Sequence, residues 1–91
     1  MSALMSAAYN GQIDTVRLLI EKGADVNAMA GGFTVLGAAV FSGKPQIVQM
    51  LIRAGADPNR AGRGGQTPLA AAQAAKNEAI VQLLRGAGAK G

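Results

Sequence analysis

The sequence predicts an all-α fold, a solenoid of stacked helix-turn-helix units joined by hairpin-like connecting loops, and three observations lead there. The chain repeats itself: Leu4, Ala7, Gly11, Val16, Leu19, Ile20, Gly23, Ala24, Asp25 and Asn27 recur 32 residues later as Leu36, Ala39, Gly43, Val48, Leu51, Ile52, Gly55, Ala56, Asp57 and Asn59. A third copy follows at a spacing of 33, where Thr67, Leu69, Ala72, Ile80, Val81, Leu84 and Gly88 match Thr34, Leu36, Ala39, Ile47, Val48, Leu51 and Gly55. A fixed period in this range marks stacked units, each too small to bury its own apolar face. Composition agrees: the chain is 49% hydrophobic, but 19 of its 91 residues are Ala and only 3% are aromatic. Alanines let helices approach closely, and few large rings are left to fill a globular core. Within each copy, finally, the apolar residues fall at helical spacing between Gly and Pro punctuation.

Each unit opens on a hydroxyl residue, Ser2, Thr34 or Thr67, placed to accept a hydrogen bond from an amide of the first helical turn. Thr67-Pro68-Leu69 adds a proline whose fixed φ suits the first helical position. First helices are expected at about Ala3–Tyr9, Val35–Phe41 and Pro68–Ala74, the first two ending near Gly11 and Gly43. The second helices carry stripes of Ile13, Val16, Leu19 and Ile20, then Ile47, Val48, Leu51 and Ile52, then Ile80, Val81, Leu83 and Leu84. Pro45 falls in the first turn of the middle one, where its missing amide costs little. Gly23, Gly55 and Gly88 stand where a left-handed residue stops each helix. Polar connectors follow, Asp25 to Phe33 and Asp57 to Gln66, expected to reverse near Gly31-Gly32 and Gly64-Gly65. The whole is one array, with units at about 1–28, 29–60 and 61–91.

The residue inventory excludes much chemistry. With no Cys and no His, there are no thiolates, disulfides or imidazole ligands, so zinc sites and serine–histidine pairs are ruled out. The five acids, Asp14, Glu21, Asp25, Asp57 and Glu78, are scattered, each explained by helix polarity or turn geometry. No catalytic, cofactor-binding or metal-binding residue is expected, and the chain is not read as an enzyme. Gly86-Ala87-Gly88-Ala89-Lys90-Gly91 fits the letters of a dinucleotide fingerprint but lacks the strand before it and the helix after it. Gly62-Arg63-Gly64-Gly65 lacks the Lys and hydroxyl ending of a phosphate loop. No apolar stretch reaches the length of a transmembrane helix, and Met1–Ala8 lacks a basic signal-peptide start, so a soluble, cytoplasmic protein is expected. Charge is uneven: residues 44–91 carry seven bases against Asp57 and Glu78, a net of +5, while residues 1–43 sum to −1. A basic half of this kind suits an acidic protein, nucleic acid or an anionic membrane.

The repeated strings resemble the ankyrin-repeat family. They are G-Q-T-P-L at 65–69, G-F-T-V-L at 32–36, G-A-D-V-N-A at 23–28 and G-A-D-P-N at 55–59, joined by I-V-Q-M-L-I at 47–52 and I-V-Q-L-L at 80–84. There are departures. Met5, Gly37 and Ala70 stand where the family usually has His, Lys76 replaces the Gly of an inter-helix turn, and Lys90 stands where the other copies have Asp. The first unit begins at Ser2, without a preceding hairpin.

The resemblance implies a protein-protein interaction scaffold without catalysis, using residues along a concave groove and the hairpin fingers. Tyr9, Asn10, Phe33, Phe41, Ser42, Arg63, Gln66, Ala74 and Ala75 match those positions, with Met29, Ala30 and Gly31 beside them in the first connector. Exposed aromatics concentrate at interface hot spots, which singles out Tyr9, Phe33 and Phe41. Packing of Phe33 and Phe41 against each other is the alternative. Two further readings stay open. The chain is a structural segment of a longer array, or self-associates, through the Ser2–Ile20 face; or it is a basic module for nucleic acid or an anionic membrane.

Overall fold

Local capping sets the boundaries of the helices. In the computed structural model, which describes residues 2–89, three helix-turn-helix units follow one another: α1 (Ala3–Tyr9) and α2 (Ile13–Glu21), α3 (Val35–Ser42) and α4 (Pro45–Arg53), α5 (Pro68–Ala74) and α6 (Glu78–Gly86). Lys90 and the end of the Gly86–Gly91 motif lie outside the described residues. The hydroxyls of Ser2, Thr34 and Thr67 each accept an N–H at the start of the first helices, from Met5 at 3.1 Å, Gly37 at 2.9 Å and Ala70 at 3.1 Å. These donors are the three positions where the family usually places His. Pro45 and Pro68 occupy the first turns of α4 and α5. The outer helices all close the same way. Ala24, Ala56 and Ala89 donate back to the carbonyls of Leu19, Leu51 and Leu84, and Gly23, Gly55 and Gly88 to those of Ile20, Ile52 and Arg85.

The expected helices are present, α3 running one residue further to Ser42. The first connector folds into a two-stranded antiparallel hairpin, β1 (Met29–Ala30) and β2 (Phe33–Thr34), with Met29 opposite Thr34 and Ala30 opposite Phe33. Gly31 and Gly32 form its tip with φ of 59° and 81°, as a tight hairpin turn of this twist requires. The second connector, one residue longer, instead makes a single 3₁₀ turn at Arg63–Gly65, closed by Gly62 N–H donating to Gln66 O at 2.8 Å. Arg63 N–H donates to Gly32 O at 2.7 Å and ties the second loop to the first hairpin.

The units stack in two rows. In the inner row α3 lies between α1 and α5, and in the outer row α4 lies between α2 and α6, giving a body of 31 × 24 × 20 Å. The core between the rows is one continuous cluster: Leu4, Met5 and Val16 from the first unit, Leu36, Ile47, Val48 and Leu51 from the second, Leu69, Ile80 and Leu84 from the third. Fully burying each such side chain contributes about 1.5–3 kcal/mol. Polar bonds lock the junctions at both ends of the helices. On the loop side, Asn27 Nδ2 donates to Gly55 O at 3.2 Å and Asn27 Oδ1 accepts from Asp57 N–H at 2.7 Å, while Asn59 Nδ2 donates to Gly88 O at 3.1 Å. On the turn side, Lys44 Nζ donates to Gly11 O at 2.8 Å and Asn77 Nδ2 to Gly43 O at 3.3 Å. These bonds fix the register of the stack, and with it the geometry of the surface that the inner row presents.

Candidate functional site

Tyr9 and Phe41 are equivalent residues of successive units, so stacking α1 on α3 brings them side by side. Their ring centroids lie 6.4 Å apart with the planes tilted by 49°. Phe33 reaches the same place from β2 and meets Phe41 edge-on at 6.5 Å, the planes at 76°. Contact between the phenylalanines does not bury them. Tyr9, Phe33 and Phe41 remain 53%, 47% and 60% exposed, and Met29 at the hairpin is 44% exposed. Such a cluster of large apolar side chains kept in water at the surface of a small domain is the kind of patch that marks interaction sites.

Three adjoining depressions run along this inner-row face. The first lies among Met5, Tyr9, Phe33 and Ala38. The second is bordered by Phe33, Phe41, Arg63, Gln66 and Pro68, and the third by Phe41, Gln66, Ala71, Ala74 and Ala75. An aromatic ridge from the first two units thus faces a shelf of alanine methyls on α5. Arg63 sits over Gly32, so close that a side chain at residue 32 would meet its Cβ at 2.9 Å. Arg60 Nε donates to Met29 Sδ at 3.1 Å.

The expected site residues are placed as follows. Tyr9, Phe33, Phe41, Arg63, Gln66, Ala74 and Ala75 are exposed and border these depressions. Asn10 is exposed at the C-cap of α1, and Gly31 at the hairpin tip. Met29 points outward, whereas Ala30 leans half-buried on the core. Ser42 is half-buried and turned to local work, its Oγ donating to Ala39 O at 2.6 Å and accepting from Lys44 N–H at 3.2 Å. Sequence reasoning placed Arg60 among the bases of the basic half rather than among the groove positions, and it left out Ala71, one alanine in a run of three that carries no signal of its own.

Among the described residues no buried side-chain nitrogen or oxygen lacks a hydrogen-bond partner. Nor, among them, is any helix long and apolar enough to cross a membrane.

Comparison with known proteins places this architecture. Residues 1–62 match the family described as ankyrin repeats (3 copies). Among solved structures, an ankyrin repeat domain from Acinetobacter baumannii AYE aligns over 99% of this chain with a TM-score of 0.94 and 43% identity. The human ASB11 ankyrin repeat domain aligns over 99% with a TM-score of 0.94 and 31% identity. The chain spans 49% and 41% of the length of these two proteins. No curated protein matches the sequence with significance.

Proposed function

The chain belongs to the ankyrin-repeat family, whose members generally mediate binding between proteins without catalysis, and from that premise we propose that it is a scaffold for a partner protein, engaged by the concave face of inner helices and connecting loops. The observation that supports this reading is the exposed cluster of Tyr9, Phe33 and Phe41 beside the alanine shelf. The rings supply large contact area at low entropic cost, and the two-row stack fixes the backbone that carries them before binding, which lowers the ordering penalty of association. Replacing the three together with Ala should abolish capture of the partner from a cell lysate while leaving helicity intact, since hot-spot aromatics contribute about 2 kcal/mol or more each. Full capture by the triple variant would sink the proposal.

A second reading, stacking through the first unit, is favoured by Leu18, which is 52% exposed while its equivalents Met50 and Leu83 pack against the core. The occupant is a second copy or a further repeat of a longer array. Sedimentation of the chain and of Leu18→Lys over a range of concentrations separates the two: concentration-dependent dimers lost in the variant support the second copy.

A further inference from the structure

The charges around the aromatic cluster have one sign. Inner helices α1, α3 and α5 and the loop segments 29–34 and 60–67 contain no Asp or Glu. The acids lie elsewhere: Asp14 and Glu21 on α2, Glu78 on α6, and Asp25 and Asp57 in the turns, where their carboxylates accept the N–H groups of Asn27 and Asn59 at 2.9 Å. Among the described residues the ion pair is Arg17 with Asp14, so Arg60 and Arg63 keep their charge uncompensated at the loop end of the face. The inner helices carry no Lys or Arg either. The surface is therefore uncharged along the helices and cationic at the loops.

Resting on the proposed use of this face, we infer that the partner element is a short peptide segment of a protein, with a bulky apolar side chain seated between Phe41 and the alanines of α5 and with Asp or Glu side chains beside it that meet Arg60 and Arg63. The apolar floor accepts the anchor, and the arginine forks accept carboxylates. Opposite charge across the rim steers encounter and rejects basic partners. A nucleic acid strand fits less well. Its phosphates need a track of cations along the groove, and here the cations stand at its two ends, Arg60 and Arg63 at the loops and Lys44 and Lys76 at the inter-helix turns, while the groove between them runs over methyl groups.

Panning a library of random displayed dodecapeptides against the chain tests this. Enriched sequences should combine a Leu, Ile, Phe or Trp with neighbouring Asp or Glu. The selected peptides should bind the Arg60→Gln, Arg63→Gln variant about tenfold more weakly, mainly through slower association, and panning on the Arg60→Glu, Arg63→Glu variant should select Lys and Arg instead. Enriched sequences with neutral or basic flanks, or unchanged binding to both arginine variants, overturn the inference. So does tighter binding of an oligothymidine than of the selected peptides. The Tyr9, Phe33, Phe41 triple Ala variant keeps the two levels apart. If the selected peptides have neutral or basic flanks and this variant loses them, the face is used as proposed and only the partner chemistry is wrong; if it retains the selected peptides, the face itself is not the site.

Discussion

In the middle repeat α4 buries Ile47, Val48 and Leu51 completely, whereas α2 of the first repeat, with Thr15, Val16 and Leu19 in the equivalent places, buries Val16 alone. The local stripe is similar, but the neighbours are not. α4 is packed between α2 and α6, while α2 meets α4 on one side only, and Thr15 replaces the Ile found at residue 47. Outer-row contacts show how one repeat completes the next. Ile20 and Met50 line one depression and Ile52 and Leu83 the next, so the isoleucine of each unit borders the same hollow as the following unit's apolar side chain. Leu18 stays 52% exposed, and at the other end Arg85 stands where Ile20 and Ile52 stand in the earlier units. Burial in this protein is conferred by the stack rather than by the helix.

Substitutions at equivalent places should therefore have graded effects. Leu51→Ala, in the middle, should cost about 2–5 kcal/mol, comparable with the whole stability of a small domain, and should leave much of the chain unfolded by circular dichroism. A melting temperature within a few degrees of the parent would break the comparison. Leu19→Ala, the same residue one repeat earlier, should cost about 1–2 kcal/mol, because a half-buried site has less apolar contact to lose and relaxes more easily. Denaturant midpoints for the pair measure the difference directly, and equal losses would show that the first repeat is held as firmly as the second.

Smaller effects sharpen the third repeat. Lys76 has φ of 56° where Gly11 and Gly43 have 72° and 74°. A left-handed conformation penalises a residue with a Cβ, and the greater freedom of an unfolded glycine offsets part of the relief, so Lys76→Gly should stabilise by about 0.5–1 kcal/mol. A lower melting temperature in that variant would mean that the lysine side chain makes a compensating interaction. Smallest of all, Leu18→Gln in a monomeric sample should change stability by less than about 0.5 kcal/mol, since the side chain is half in water already. A loss similar to that of Leu19→Ala would place Leu18 in the core.

Much of this architecture was legible in the residues. Hydroxyl caps, Pro at helix starts, Gly at helix ends and the recurring stripes are local signals, and they placed six helices and both chain reversals. Contacts between repeats were less so. Asn27 and Asn59 read as turn formers, yet their side chains bridge to Gly55 and Gly88 of the next unit. Lys44 and Asn77 make the same kind of bridge with different chemistry, which no pattern of identities reveals. Of the candidate site, the period of 32 residues aligned Tyr9 with Phe41, so their pairing follows from stacking once the repeat is recognised. Only the family resemblance grouped Arg63 with Phe33 and Phe41; in the structure the second loop folds over Gly32 and sets it beside them.

The central claim is that recognition uses the inner row and the loops rather than the outer row. Amide and methyl resonances of the isotopically labelled chain, titrated with the most enriched selected peptide, test it most directly. The account predicts perturbations centred on Tyr9, Phe33, Phe41, Arg63 and Ala74, with Ile52, Leu83 and the rest of the outer helices undisturbed. Perturbations centred on α2, α4 and α6, with the aromatic cluster silent, would contradict it.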